Sequence, residues 1–166
     1  MSTFQAYAYE GSLSDQYAQL AQQLHALLAG ETRVMTALSQ ASALLNQFLS
    51  DVNWVGFYLA EGDALYLGPF QGLPACTSIP FGKGVCGAAA RTGLTQRVAD
   101  VHAFAGHIAC DARSRAEVVV PLFVRGQLWG VLDVDSPSVG RFGPEDELGL
   151  VQFVTVLMAA LTEAGV

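Results

Sequence analysis

A chain of 166 residues is long enough for one domain with a buried core, without disulfide or metal staples. Hydrophobic residues make up 52% of it and charged residues only 14%, so the core is thick or some surface is covered. Fifteen acidic against eight basic side chains leave a net charge of −7, a poor match for a nucleic-acid backbone and better read as solubility.

The opening run, Met1 to Asp15, has neither a basic start nor an apolar stretch, so no secretion signal is expected and the setting reads as cytoplasmic. No repeat, low-complexity segment or Pro/Ser-rich linker interrupts residues 1–166, which therefore read as a single domain. Ser14 stands where it can cap a helix whose apolar face runs Tyr17, Leu20, Ala21, Leu24, Leu27 and Leu28, with Gly30 as its stop. A second helix is predicted from Thr32, with Val34, Leu38, Ala41, Leu45 and Phe48 on one side. Strands follow over 53–59 and 64–67, turning at Glu61-Gly62-Asp63.

Next, Phe81-Gly82-Lys83-Gly84-Val85-Cys86-Gly87-Ala88 reads as a glycine-rich turn opening a short helix that ends near Gly93. A loop carries His102, His107 and Cys110. Two clear strands come after it, over 117–124 and 128–135, around the hairpin signal Arg125-Gly126-Gln127. Pro144 opens a terminal helix to about Glu163. Its apolar stretch, 148–161, is broken by Gly149, Gln152 and Thr155 and is too short to span a membrane. Helices at both ends and hairpins between them predict an α+β fold, an antiparallel sheet with helices packed on it.

Alternation along the last hairpin carries the chemistry. Trp129, Val131, Asp133 and Asp135 fall on one face of their strand, and Leu128, Leu132 and Val134 on the other. Both faces are apolar for most of their length, so the two aspartates end a buried face. Pairing about the turn sets Glu117 opposite that end, and three carboxylates converge. Like charges so placed raise at least one pKa and keep a carboxylic acid protonated near neutral pH. The plain alternative is that Asp133 and Asp135 only close the strand before Ser136-Pro137. On the earlier strand Trp54, Gly56 and Tyr58 share a face, either as ordinary core or as a pocket wall with room over the glycine for a small apolar group.

Cys76, Cys86 and Cys110 in a cytosolic setting are not a structural disulfide framework, because that compartment keeps thiols reduced, leaving reactive thiols, metal ligands or inert core residues. No tight cysteine pair suggests zinc; a mixed set of Cys110, His102 and His107 is the remaining metal reading. Cys86, in the first turn of its helix, is placed where the dipole favours a thiolate. Gly82 to Gly87 spell G-x-G-x-x-G, but no clear strand precedes them and no strand-end acid follows about 20 residues later, so a dinucleotide site fails. Their N–H groups remain candidates for holding a carboxylate.

Several runs occur together in a recognisable order: Ala75-Cys76, Ile79-Pro80-Phe81-Gly82-Lys83-Gly84-Val85-Cys86-Gly87, Gly106-His107-Ile108-Ala109-Cys110-Asp111, Glu117-Val118-Val119-Val120-Pro121-Leu122 and Gly130-Val131-Leu132-Asp133-Val134-Asp135-Ser136-Pro137. With Asn53-Trp54-Val55-Gly56-Phe57-Tyr58 they cover most of the chain. The set resembles the free methionine-(R)-sulfoxide reductases, which are GAF-domain proteins. That resemblance implies Cys110 as the nucleophile that becomes a sulfenic acid, and Cys76 and Cys86 as the cysteines that condense with it. It implies thioredoxin as the reductant, a homodimer, no cofactor and no metal. Glu117, Asp133 and Asp135 correspond to acids that bind the substrate amine and assist protonation, and Trp54 and Tyr58 to the wall around its methyl end. Phe104-Ala105-Gly106 departs from the pattern by lacking a proline before the glycine. Two rival classes stand beside this one. A GAF sensing module would bind a small molecule without needing a three-cysteine relay, and a zinc-binding interaction protein would carry stoichiometric metal.

Overall fold

A computed structural model describes residues 4–166, so Met1 to Thr3, part of the start read as free of a leader, lie outside it. Helix α1 (Leu13–Leu27) is capped by Ser12 rather than by Ser14. The reason is local: the Ser12 hydroxyl accepts the Asp15 N–H at 3.1 Å and the Asp15 carboxylate accepts the Ser12 N–H at 3.0 Å. Ser14 has Tyr17 three residues on and cannot make that exchange. Helix α2 (Val34–Phe48) starts later than Thr32 because the Glu31 carboxylate takes the N–H groups of Thr32 and Arg33, at 3.0 and 2.8 Å, outside the helix.

Six antiparallel strands form one sheet: β1 (Trp54–Glu61), β2 (Ala64–Gly72), β3 (Ser78–Pro80), β4 (Gln96–Val98), β5 (Ala116–Val124) and β6 (Gln127–Ser136). Their spatial order is β3-β2-β1-β6-β5-β4. Strand β2 runs past the expected 64–67 to Gly72, through Gly68 and Pro69; a register shift between Gly56 and Tyr58 on β1 accommodates them. Strands β3 and β4, three residues each, carry too little alternation to be read in advance.

Helices α2 and α4 (Pro144–Glu163) lie on one face of the sheet, with α1 packed on α4. That face buries Val55, Phe57, Val118, Val120, Leu122, Leu132 and Val134 against Leu38, Leu45, Phe153 and Leu157. The short α3 (Gly84–Thr92), ended by Gly93 in the left-handed conformation as anticipated, covers the other face over Trp54, Tyr58, Val119 and Val131. A register shift between Leu122 and Phe123 reverses the expected facing at the turn end of β6, so Trp129 joins the helix side and Leu128 the α3 side. Among the described residues no helix is long and apolar enough to cross a membrane.

Candidate active site

Strand register brings the acids together as alternation demands. Glu117 on β5 pairs with Asp135 on β6, and Asp133 lies across from Val119 on one side and Gly56 on the other. All three carboxyl groups are buried beneath α3, whose Cys86 sulfur stands 3.8 Å from Glu117 Oε1. Burial, then the charges of Asp133 and Asp135, hold the Glu117 carboxyl well above its usual range. Burial followed by the Asp133 and Asp111 charges does the same to Asp135. Burial raises Asp133 to about 6, while hydrogen bonds from Glu117 and Cys86 restrain it. The cluster therefore retains protons at neutral pH. One oxygen of it, Asp133 Oδ1, is buried and has no hydrogen-bond partner in the protein, so a residue that lines the cavity carries an unused acceptor.

The aromatic wall is tighter than expected. Trp54 stacks on Tyr58 with centroids 5.7 Å apart and on Phe70, a residue not foreseen, at 5.2 Å. Any side-chain carbon at Gly56 would meet Phe70 and the Trp54 ring, so the room above this glycine is already filled by aromatics. Polar edges of the same rings hold the next segment: Tyr58 Oη donates to the Cys76 carbonyl at 2.9 Å and Trp54 Nε1 to that of Leu73 at 3.2 Å.

Cys76 and Cys110 form a disulfide, with Cα atoms 5.3 Å apart across 34 residues of sequence. Cys86 is free and buried. Its expected thiolate character does not hold: burial first, then the Asp133, Glu117 and Asp135 charges, push this thiol well up, and these outweigh one short helix's dipole. The glycine-rich turn is likewise less open than its sequence suggests. The N–H groups of Gly82, Lys83 and Gly84 bond the carbonyls of Gly87, Pro80 and Gly106, at 2.7, 3.1 and 3.1 Å, so these three do not form a cradle for an anion.

Trp54, Tyr58, Cys86, Cys110, Glu117, Asp133 and Asp135 line one cavity, and Cys76 sits at its edge through the bond to Cys110. In this disulfide-bonded form the cavity measures about 40 Å³, room for about three waters on the same measure. His107 also reaches it; burial and the neighbouring His102 lower its pKa and favour the neutral ring. Cys110, His102 and His107 do not gather as a ligand set here, where Cys110 is bonded to Cys76. Among the described residues the metal-type ligands that gather are instead Cys86, Glu117 and Asp133. Sequence reasoning missed Phe70, Ile108, Asp111 and Ser114 as neighbours of the site, although the pairing of Asp111 with Cys110 in sequence was a visible signal.

The GAF domain model matches residues 13–161. Free methionine-R-sulfoxide reductase of Escherichia coli is 54% identical over 145 residues, covering 87% of this chain and 88% of that protein. The chain belongs to the free methionine-R-sulfoxide reductase family. A Saccharomyces cerevisiae protein of this family is 45% identical, over 71% of this chain and 70% of its own length. The free methionine-R-sulfoxide reductase of Neisseria meningitidis, solved in complex with its substrate, superposes with a TM-score of 0.89 at 41% identity, covering 96% of each chain. Family membership and the α+β GAF architecture thus agree with what the motifs implied.

Proposed function

We propose that this chain is an L-methionine (R)-S-oxide reductase acting on the free amino acid, working as one GAF unit of a cytoplasmic homodimer. The observation that carries the reading is the Cys76–Cys110 disulfide set beside three buried carboxyl groups. The Cys110 sulfur attacks the sulfoxide sulfur and takes its oxygen as a sulfenic acid, while methionine leaves as the thioether. Cys76 then attacks that sulfur, expelling water and closing the disulfide. Summed, one sulfoxide and two thiols become methionine, water and a disulfide, a two-electron exchange. Thioredoxin restores the thiols.

Each acid has a part that its surroundings favour. Protonated Glu117 or Asp135 delivers a proton to the sulfoxide oxygen as its bond to sulfur breaks. The unpartnered oxygen of Asp133 receives the substrate ammonium. Trp54 and Tyr58 flank the methyl end. Cys86, held as a thiol against Glu117, belongs to the proton-holding cluster more than to the disulfide relay. The small cavity fits a cycle in which substrate enters only after the Cys76–Cys110 bond is reduced. Exposed Leu148 and Val151 on α4 give the homodimer an apolar surface.

Thiol counting tests the reading. Reduced protein given free methionine (R)-sulfoxide without reductant loses two thiols and releases one methionine; a ligand-sensing GAF module loses none. The N-acetyl amide of the sulfoxide, lacking both charged ends, is a poor substrate. Equal rates on the two would rule out recognition of the free amino acid.

A further inference from the structure

The segment carrying Cys110 has little regular structure between the 3-10 turn at Val101–Ala103 and β5. Backbone bonds hold its ends: the Val101 N–H donates to the Arg115 carbonyl at 2.7 Å and the Arg115 N–H to that of Ser136 at 2.8 Å. From elsewhere in the fold, the Cys76–Cys110 bond and the Gly84 N–H on the Gly106 carbonyl at 3.1 Å hold its middle, and one side chain holds the stretch after Cys110. Asn53 Nδ2 donates to Asp111 Oδ2 at 3.1 Å and to Ser114 Oγ at 3.0 Å. Asp111 directly follows Cys110, and Ser114 lines the cavity beside Asp135.

Asn53 is itself anchored to the acid-bearing strand, because its backbone N–H donates to the Asp135 carbonyl at 2.9 Å. A carboxylate only accepts, so Asp111 compels the amide to present its NH₂ group. The other amide atom, Asn53 Oδ1, is then buried without a partner, an arrangement that opposes stability and calls for another reason to persist. Arg113 closes Asp111 from the solvent side, its backbone N–H at 2.9 Å and its guanidinium at 2.8 Å. Both protons of one amide thus sit on the loop while the same residue's N–H sits on β6, so Asn53 ties the stretch after Cys110 to the strand that carries Asp135.

We propose that Asn53 is a positioning residue of the reductase: it fixes the loop segment 111–114 to the end of β6 and thereby holds Cys110 at the acidic cavity. The proposal rests on the reductase reading for its kinetic readout, but not for its chemical one. Asn53→Ala is expected to lower kcat by about 10²-fold at nearly unchanged KM, since misplacing a reacting group by about 1 Å has that scale of effect. In the fully reduced variant, iodoacetamide followed by peptide mapping should show Cys110 alkylated faster while buried Cys86 stays protected. A role in folding alone would expose both sulfurs together.

Asp111→Ala removes the acceptor of the same joint from the loop side and reports in its place should Asn53→Ala not fold. The exchange Asn53→Asp with Asp111→Asn restores an amide facing a carboxylate, and should recover at least about tenfold over Asn53→Asp alone. Turnover within about twofold of the parent in both Asn53→Ala and Asp111→Ala would overturn the proposal, as would Cys86 losing protection together with Cys110. An inactive parent protein would instead overturn the reductase reading; the alkylation pattern would still decide whether Asn53 holds Cys110.

Discussion

The two faces of the sheet are built from the same strands and do different work. Toward α2 and α4, Val55, Phe57, Val118, Val120, Leu132 and Val134 form a wholly apolar contact. Toward α3, the alternate positions supply Trp54, Tyr58, Glu117, Asp133 and Asp135, with the acids buried, though less completely than the neighbouring valines. A period of two residues therefore separates the groups that stabilise the fold from those that oppose it. Buried like charges are tolerated on one face because the other provides hydrophobic burial along every central strand.

Four experiments break or sharpen that contrast. The largest effect is expected from Cys110→Ser, which should abolish methionine formation without disturbing either face; multiple turnover in this variant would remove Cys110 as the nucleophile. Next, Glu117→Gln and Asp135→Asn should each slow single-turnover reduction by about 10²-fold or more, the usual scale for losing a positioned acid. Circular dichroism should show both folded. Unchanged kinetics in the pair would reject the acidic cluster as a participant. On the opposite face Leu132→Ala should behave in reverse, losing about 2–5 kcal/mol in denaturant unfolding while kcat is retained.

The smallest effect concerns pH. Folded Asp133 keeps its proton to about pH 6, whereas its ordinary value is 3.8, so the folded state binds more protons in that window. Stability from this group is complete below 3.8 and is lost as pH rises through 6. Asp111, pulled down to about 2 chiefly by its hydrogen bond from Arg113, loses its contribution only in stronger acid, outside that window. Glu117 and Asp135, also held up by burial, act in the same direction there, so a thermal melt should fall from about pH 4 to about pH 6 in the parent protein and less steeply in Asp133→Asn. Identical profiles would mean that Asp133 is not the group responsible.

Local pattern explains which features were legible before the fold was known. Long helices and the β5–β6 hairpin declare themselves by period, and pairing about Gly126 suffices to bring Glu117 to Asp135. Nearness to the apolar run favours Ser14 as the cap, whereas the reciprocal bonds with Asp15, three residues on, select Ser12. The facing of Trp129 and Leu128 was reversed by a register shift that alternation cannot foresee. Cys86 was misjudged for a different reason: its helix position is visible in sequence, but the carboxylates that oppose its ionisation arrive from β5 and β6. Asn53 gave no signal at all. Its partners Asp111 and Ser114 lie 58 and 61 residues away.

The bond between Cys76 and Cys110 ties off 34 residues of chain. Closing a loop of that size restricts the denatured ensemble by about 4 kcal/mol in the chain-entropy account. Oxidised molecules should accordingly resist heat and proteases better than reduced ones, so the protein is most vulnerable to degradation when its thiols are ready to react. A cell short of oxidant would hold it in that less durable form.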